Sequence, residues 1–137
     1  LTHYDHDNQR FASGTYDPSS QYRAAKVVEF FKEQNLDKET LRNQYVFKVE
    51  LLKQLFLKND FDPTIIKLTH QKDIETHNGG FLSLTSPKAR EIRAKLLEAN
   101  VFTDARDQIL RFGPAPYTTT AQINDVMLAL SDVIKTL

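Results

Sequence analysis

The stretch from Ile109 to Tyr117 constrains the fold of this chain more than any other part of the sequence. Ile109-Leu110-Arg111-Phe112 has the short apolar pattern of a β-strand, and Gly113-Pro114-Ala115-Pro116 follows it directly. Each proline fixes φ and removes a backbone N–H, so the turn after the strand has little conformational freedom. We therefore predict a strand at 109–112 that runs into a rigid turn.

Arg111 lies inside this apolar strand, and the sequence leaves two places for its side chain. On the apolar face the guanidinium would need an anion, because a buried charge is tolerated only when it is paired. On the solvent face of an alternating strand it would need no partner. From the residue pattern alone we favour the solvent face, with Ile109 outside the core register.

The charge of the chain is balanced, with 18 Lys and Arg residues against 18 Asp and Glu residues. Without a basic field the chain does not attract nucleic acid or anionic lipid over a distance, so we expect neither nucleic acid nor membrane as a partner. The sequence has no apolar run of membrane-spanning length, and its first residues, 1–6, have neither the basic nor the apolar part of a signal peptide. The absence of cysteine excludes disulfides, thiolate zinc sites and a cysteine nucleophile, and we expect a cytoplasmic location.

At 137 residues the chain has the size of one domain with one core. Its only methionine is Met127, so we expect Leu1 to mark an artificial boundary, a processed end or the edge of a fragment, with residues missing upstream. We predict four helices from their apolar periodicity and start signals, at about 18–34, 37–56, 87–100 and 119–137. The clearest start signals are Asp17-Pro18 for the first helix and a capping box of Thr119 and Gln122 for the last.

Four short segments have the pattern of β-strands. Two lie between the second and third helices, at 64–69 and 81–84, and two lie between the third and fourth, at 101–104 and 109–112, with a predicted turn at 105–108. His3 and His6 near the start, and His70 and His77 in a polar loop, lack the spacing of a metal site, so we predict none. The order of the elements predicts an α+β fold. We expect a small, mostly antiparallel sheet with helices on one face, two helices leading in and one closing at the C terminus.

Four motifs, in this order, resemble the C-terminal small domain of kynureninase and of related class V aminotransferase-like enzymes of fold type I, which depend on pyridoxal phosphate. They are RFASGTYDP at 10–18, GFLSLTSP at 80–87, VFTDAR at 101–106 and LRFGPAPYTT at 110–119. The resemblance covers nearly the whole chain but only about the last third of such an enzyme. It implies that residues 1–16 are a lead-in segment from a missing large domain and that residues 17–137 form the small domain.

The resemblance implies that the full-length enzyme binds pyridoxal phosphate mainly through a lysine and a phosphate cup of the large domain, which have no counterpart here. This chain alone is then not expected to carry out the reaction, and we assign it no catalytic residue. Kynureninase hydrolyses kynurenine to anthranilate and alanine. The implied partners are an amino-acid substrate, the large domain and a second copy in a homodimer. An aminotransferase or cysteine desulfurase reaction, and a stand-alone interaction module without cofactor, remain as alternatives.

In this family the arginine of the last motif pairs with the α-carboxylate of the substrate, and Arg111 occupies that place. A guanidinium suits the role because it can bind a carboxylate through two parallel hydrogen bonds. Gly14 and Thr15 occupy a segment that lies near the cofactor in such enzymes, commonly the cofactor of the partner subunit. They are carried over as contacts to phosphate or substrate, with a plain helix-entry turn as the alternative.

Overall fold

The structure, a computed structural model, describes residues 6–7, 17–69 and 79–137. The chain divides into two units, with the boundary between Asp37 and Lys38. The domain boundary predicted between residues 16 and 17 remains a prediction. The first unit contains α1 (Ser19–Glu33). The second contains α2 (Lys38–Lys58), β1 (Lys67–Leu68), β2 (Leu82–Thr85), α3 (Ala89–Glu98), β3 (Asp104–Arg106), β4 (Ile109–Phe112) and α4 (Thr120–Lys135).

The α+β fold predicted from the sequence is confirmed. The described residues form four helices and one four-stranded antiparallel sheet with the strand order β1-β2-β4-β3. The strand β4 lies inside the sheet and is paired on both sides. Leu110 of β4 lies opposite Leu84 of β2 on one side and opposite Ala105 of β3 on the other. The position of β4 is therefore fixed by two neighbouring strands.

The core lies between one face of this sheet and the helices of the second unit. In β2 and β4 the buried residues alternate with half-buried ones, so both strands turn leucines and one phenylalanine toward the helices. The helix α2 contacts β2, α3 contacts β3 and β4, and α4 packs against α2 and α3. The sheet residues of this core are Leu82, Leu84, Leu110 and Phe112, and the helix residues include Val49, Leu52, Phe56, Ile92, Leu96, Ile123, Met127 and Leu130.

The start of α4 follows from a side-chain cap, whereas the N-cap residue of α1 is Pro18, one residue after the predicted Asp17, and has no side-chain cap. The predicted capping box of α4 is present, because the hydroxyl of Thr119 accepts a hydrogen bond from the backbone of Gln122 and the Gln122 side chain accepts one from the backbone of Thr119. Asp17 accepts a hydrogen bond from the backbone N–H of Ser19 at 3.0 Å, so α1 begins just after Asp17-Pro18. None of the α1 side chains is buried. No helix in the described part of the chain is long and apolar enough to cross a membrane.

The predicted strand at 101–104 is wrong, because the end of α3 uses these residues differently. Asn100 adopts a left-handed conformation with φ of 59°, and the N–H of Val101 donates back to Leu96 at 2.8 Å. This is the hydrogen bond of a helix C-cap, so Val101 closes the helix instead of starting a strand. The strand begins at Asp104, and the turn shrinks to Asp107-Gln108, with Asp107 at a φ of 51°.

The predicted strand at 64–69 is shorter than expected for a similar reason. The carbonyl oxygen of Asp62 accepts hydrogen bonds from the N–H groups of Ile65 and Ile66, both at 3.0 Å. This turn occupies the first half of the segment, and only Lys67–Leu68 remain as the strand β1.

Candidate functional site

Arg111 lies on the face of the sheet opposite the core. Its neighbours Leu110 and Phe112 are buried on the helix side, and the Arg111 side chain, on the other side, is 26% exposed. The preference for this face, which rested on strand alternation, is confirmed. The side chain is nevertheless not simply solvated, because two neighbours hold its guanidinium.

The first neighbour is Asp104, which lies directly opposite Arg111 on β3. The Nη2 group of Arg111 donates a hydrogen bond to Oδ2 of Asp104, and Nε of Arg106 lies 3.3 Å from the same oxygen. The hydrogen bond from Arg111 holds the pKa of the Asp104 carboxyl below its usual value, and the charge of Arg106 acts in the same direction. Asp104 is therefore ionised at neutral pH and is shared by two arginines.

The second neighbour is Phe81, which precedes β2 and is half-buried. The guanidinium carbon of Arg111 lies 5.3 Å from the centroid of the Phe81 ring, within the range of a cation–π contact. The guanidinium of Arg111 is thus bonded to Asp104 of the neighbouring strand and packs against the ring of Phe81, the residue just before β2.

The guanidinium of Arg111 keeps donors for a further anion. A guanidinium carries five N–H groups, and Nη2 contributes one hydrogen to each of its two paired edges. In the described part of the chain Asp104 is its hydrogen-bond acceptor, and it takes one hydrogen of Nη2. One paired edge is therefore left complete, and such an edge is the group that binds a carboxylate through two parallel hydrogen bonds.

Lys48 of α2 fixes the turn that follows Arg111. Its Nζ donates to the carbonyl oxygen of Ala115 at 3.1 Å and to that of Pro116, and Lys48 is buried with 8% of its surface exposed. Burial lowers the pKa of Lys48. From the sequence this lysine is only one residue of the helix predicted at 37–56. The signal for its role was the proline turn at 113–116, in which two residues have no N–H to donate.

A groove of about 520 Å³ lies beside the same turn, on the helix side of the sheet. Its lining is mostly apolar and contains no lysine or arginine. The exposed rings of Phe102 and Tyr117 contribute to it. The groove is not predictable from the sequence, because its walls come from α2, the end of α3, the end of β4, the turn and α4. The lining residues are Leu52, Ala99, Asn100, Val101, Phe102, Phe112, Gly113, Pro114, Ala115, Tyr117, Thr118, Gln122, Ile123, Asp125, Val126 and Ala129.

Gly14 and Thr15 lie outside the described residues, as do His3, His70 and His77. Their predicted roles stay predictions. Within residues 6–7, 17–69 and 79–137 there is no group of three or more His, Cys, Asp or Glu side chains that could hold a metal ion.

Pyridoxal phosphate, the cofactor implied by the resemblance, needs positive groups or free N–H donors for its phosphate. The groove has no cation in its lining, and Lys48 directs its ammonium at two backbone carbonyl groups. The groove and Lys48 therefore do not fit the cofactor phosphate. Among the described residues no acceptor occupies the second paired edge of the Arg111 guanidinium, and this edge fits a single carboxylate.

The comparison with known families agrees with the resemblance. Residues 48–130 match the family described as the kynureninase C-terminal domain, and the matched part contains the sheet, α3, the proline turn and most of α4. Arg111, Asp104 and Lys48 all lie inside it. No curated protein matches the sequence. Because the match spans more than half of the residues, the chain belongs to the kynureninase C-terminal domain family.

Proposed function

We propose that this chain is the C-terminal domain of a pyridoxal phosphate-dependent enzyme that hydrolyses kynurenine to anthranilate and alanine when joined to its large domain. In this proposal Arg111 binds the α-carboxylate of the substrate, and the large domain holds the cofactor. The observation that carries the proposal is the guanidinium of Arg111, which contacts Asp104 and Phe81 and, among the residues that the structure describes, keeps one paired edge free. Membership in the family supports the dependence on pyridoxal phosphate.

The work of this domain is then binding and orientation. A carboxylate on two parallel hydrogen bonds cannot rotate about a single contact, so Arg111 fixes the direction of the rest of the amino acid. Two residues outside β4 support Arg111 in this role. Asp104 holds the guanidinium, and Lys48 holds the turn that begins one residue after β4.

The first experiment is the visible absorption spectrum of the natural-length protein, recorded before and after treatment with borohydride. We expect the absorption of enzyme-bound pyridoxal phosphate, abolished by reduction. Chromatography of the products after incubation with kynurenine then identifies the reaction. Anthranilate and alanine support the hydrolase. Separate incubations test the alternatives: amination of an added 2-oxo acid would assign the aminotransferase reaction, and alanine with sulfide from added cysteine and a thiol reductant would assign the desulfurase reaction. A colourless protein would instead favour the interaction module.

The role of Arg111 is tested with Arg111→Met in the same protein. We expect kcat/KM for kynurenine to fall about 10- to 150-fold, the range that follows from losing a hydrogen bond to a charged group. Arg90→Met is the matched control, because Arg90 is 80% exposed and lies 3.8 Å from its nearest carboxylate, Asp107. An unchanged kcat/KM in Arg111→Met would remove Arg111 from the substrate site.

A further inference from the structure

We propose that Asp104 is the positioning residue of this carboxylate site and stays bonded to Arg111 while the substrate binds. In this arrangement the substrate carboxylate adds to the free edge of the guanidinium and does not displace Asp104. The inference rests on the proposed function of Arg111 and adds to it a residue whose role is to orient the arginine.

The backbone places Asp104 for this role. It lies directly opposite Arg111 in an antiparallel pair, and a two-residue turn joins the two strands, so the separation of their backbones is set by the hairpin itself. Only Oδ2 of Asp104 contacts the arginines, and that oxygen takes a single hydrogen from Arg111. This single hydrogen bond orients the guanidinium and leaves its other N–H donors for a second anion.

The charges favour a site that holds both carboxylates together. Arg106 and Arg111 carry two positive charges against the single negative charge of Asp104. The cluster therefore has one positive charge in excess, and one incoming carboxylate cancels it. If the substrate displaced Asp104, that carboxylate would lose its bond to Arg111 while an anion approached it, which is unfavourable. The cluster thus matches an amino acid that brings a single carboxylate.

The ring of Phe81 limits the approach further. It lies 5.3 Å from the guanidinium carbon, so an anion reaches Arg111 at an edge and not at the covered face. Asp104 occupies part of one paired edge of the guanidinium, and the Phe81 ring covers one of its faces. The substrate carboxylate therefore binds at the other paired edge.

The test compares L-alanine, the proposed product, with L-alaninamide, which lacks the carboxylate. Dissociation constants of both are measured on the natural-length protein by calorimetry, and their ratio reports the preference for a carboxylate. In Asp104→Asn, which keeps the shape of the side chain and removes its charge, we expect this preference to fall about tenfold, because the oriented hydrogen bond to Arg111 is weakened. The affinity for alaninamide should stay the same.

Asp107→Asn is the matched control. It removes the same charge from the same hairpin, Asn tolerates the left-handed conformation of residue 107, and Asp107 is 96% exposed. The preference of the Asp107→Asn variant for alanine over alaninamide should equal that of the unmodified protein. A decrease as large as in Asp104→Asn would mean that net charge and not position governs binding, and would overturn the proposal.

The remaining outcomes separate the inference from the proposed function. Equal or tighter alanine binding in Asp104→Asn would mean that Asp104 is not needed or competes with the substrate, and only this inference would fail. If Arg111→Met also keeps the full preference for alanine, the proposed function fails as well. Should the Asn variant not fold, Asp104→Glu decides, because it keeps the charge and moves the carboxylate by one methylene. Its preference for alanine should fall, and an unchanged preference would overturn the proposal.

Discussion

Lys48 of α2 donates a hydrogen bond to the carbonyl oxygen of Ala115 at 3.1 Å. This contact joins a helix from the start of the second unit to the turn that follows the strand of Arg111. The two prolines of that turn supply no N–H groups, and the lysine adds a donor to the carbonyl of Pro116 and a second donor, beside the N–H of Thr118, to that of Ala115. The partners of the buried lysine are backbone carbonyl groups of two half-buried residues and not a carboxylate.

Replacing Lys48 with methionine should lower the free energy of unfolding by about 1–3 kcal/mol, since the half-buried carbonyl group of Pro116 would lose the Lys48 donor and that of Ala115 would keep only the N–H of Thr118. Methionine keeps the length and most of the volume of the side chain. Lys53→Met on the same helix is the control, because Lys53 lies only 3.8 Å from Glu50 at the surface, and a change within about 0.5 kcal/mol is expected. Urea unfolding of the two variants measures the difference. Equal stabilities would show that the turn does not depend on Lys48.

The pair of Asp104 and Arg111 should make stability depend on acidity. The folded state holds the pKa of Asp104 below its usual value, so the ionised pair stabilises the fold above about pH 4, and this contribution is lost as the pH falls through the lowered value. Asp104→Asn lacks the contribution at every pH. We therefore expect the unmodified protein to be more stable than the variant at pH 7, with the difference shrinking below about pH 4. A difference that stays constant down to pH 2.5 would contradict the ion pair.

The cap of α4 should be worth a measurable amount. Thr119→Ala removes the hydroxyl that accepts from the backbone of Gln122, and we expect a loss of about 1 kcal/mol. Thr119→Ser retains the hydroxyl and should lose little. Thr120→Ala, one residue further and outside the cap, is the control. The comparison fails if thermal unfolding gives Thr119→Ala and Thr119→Ser the same midpoint.

The left-handed residue of the hairpin turn should tolerate few side chains. Asp107 has a φ of 51°, which a β-branched residue adopts at a cost of about 1–2 kcal/mol. We expect Asp107→Val to lose about this much stability and Asp107→Gly to remain close to the unmodified protein. Chemical denaturation measures both. A Val variant as stable as the Gly variant would indicate that the turn changes shape.

The parts of the fold that follow from local patterns were predictable. The apolar face and the capping box of α4 and the alternation in β4 are each set by residues a few positions apart. Arg111 was assigned to the correct face for this reason. Leu110 and Phe112 are apolar and face the core, so the residue between them in the strand faces the other side.

The partners of Arg111 were not predictable in the same way, because they depend on strand register. With the strand set at 101–104 and the turn at 105–108, Asp104 would not lie opposite Arg111. The observed turn at Asp107-Gln108 lacks the Asn-Gly or Asp-Gly signal of a tight hairpin. The contact of Lys48 with Ala115 joins residues 67 positions apart, and no local pattern encodes it. The groove arises only when four elements pack together.

The hairpin of β3 and β4 has a consequence for how the site forms as the chain folds. Asp104 and Arg111 are seven positions apart, so their pairing closes only a short loop, whereas the pairing of β2 with β4 must wait for α3 to be accommodated between them. Short loops close faster and at a smaller loss of chain entropy than long ones. The contact that orients the arginine thus lies within a hairpin that can form early in folding. The pairing of β4 with β2 then adds this hairpin to the rest of the sheet.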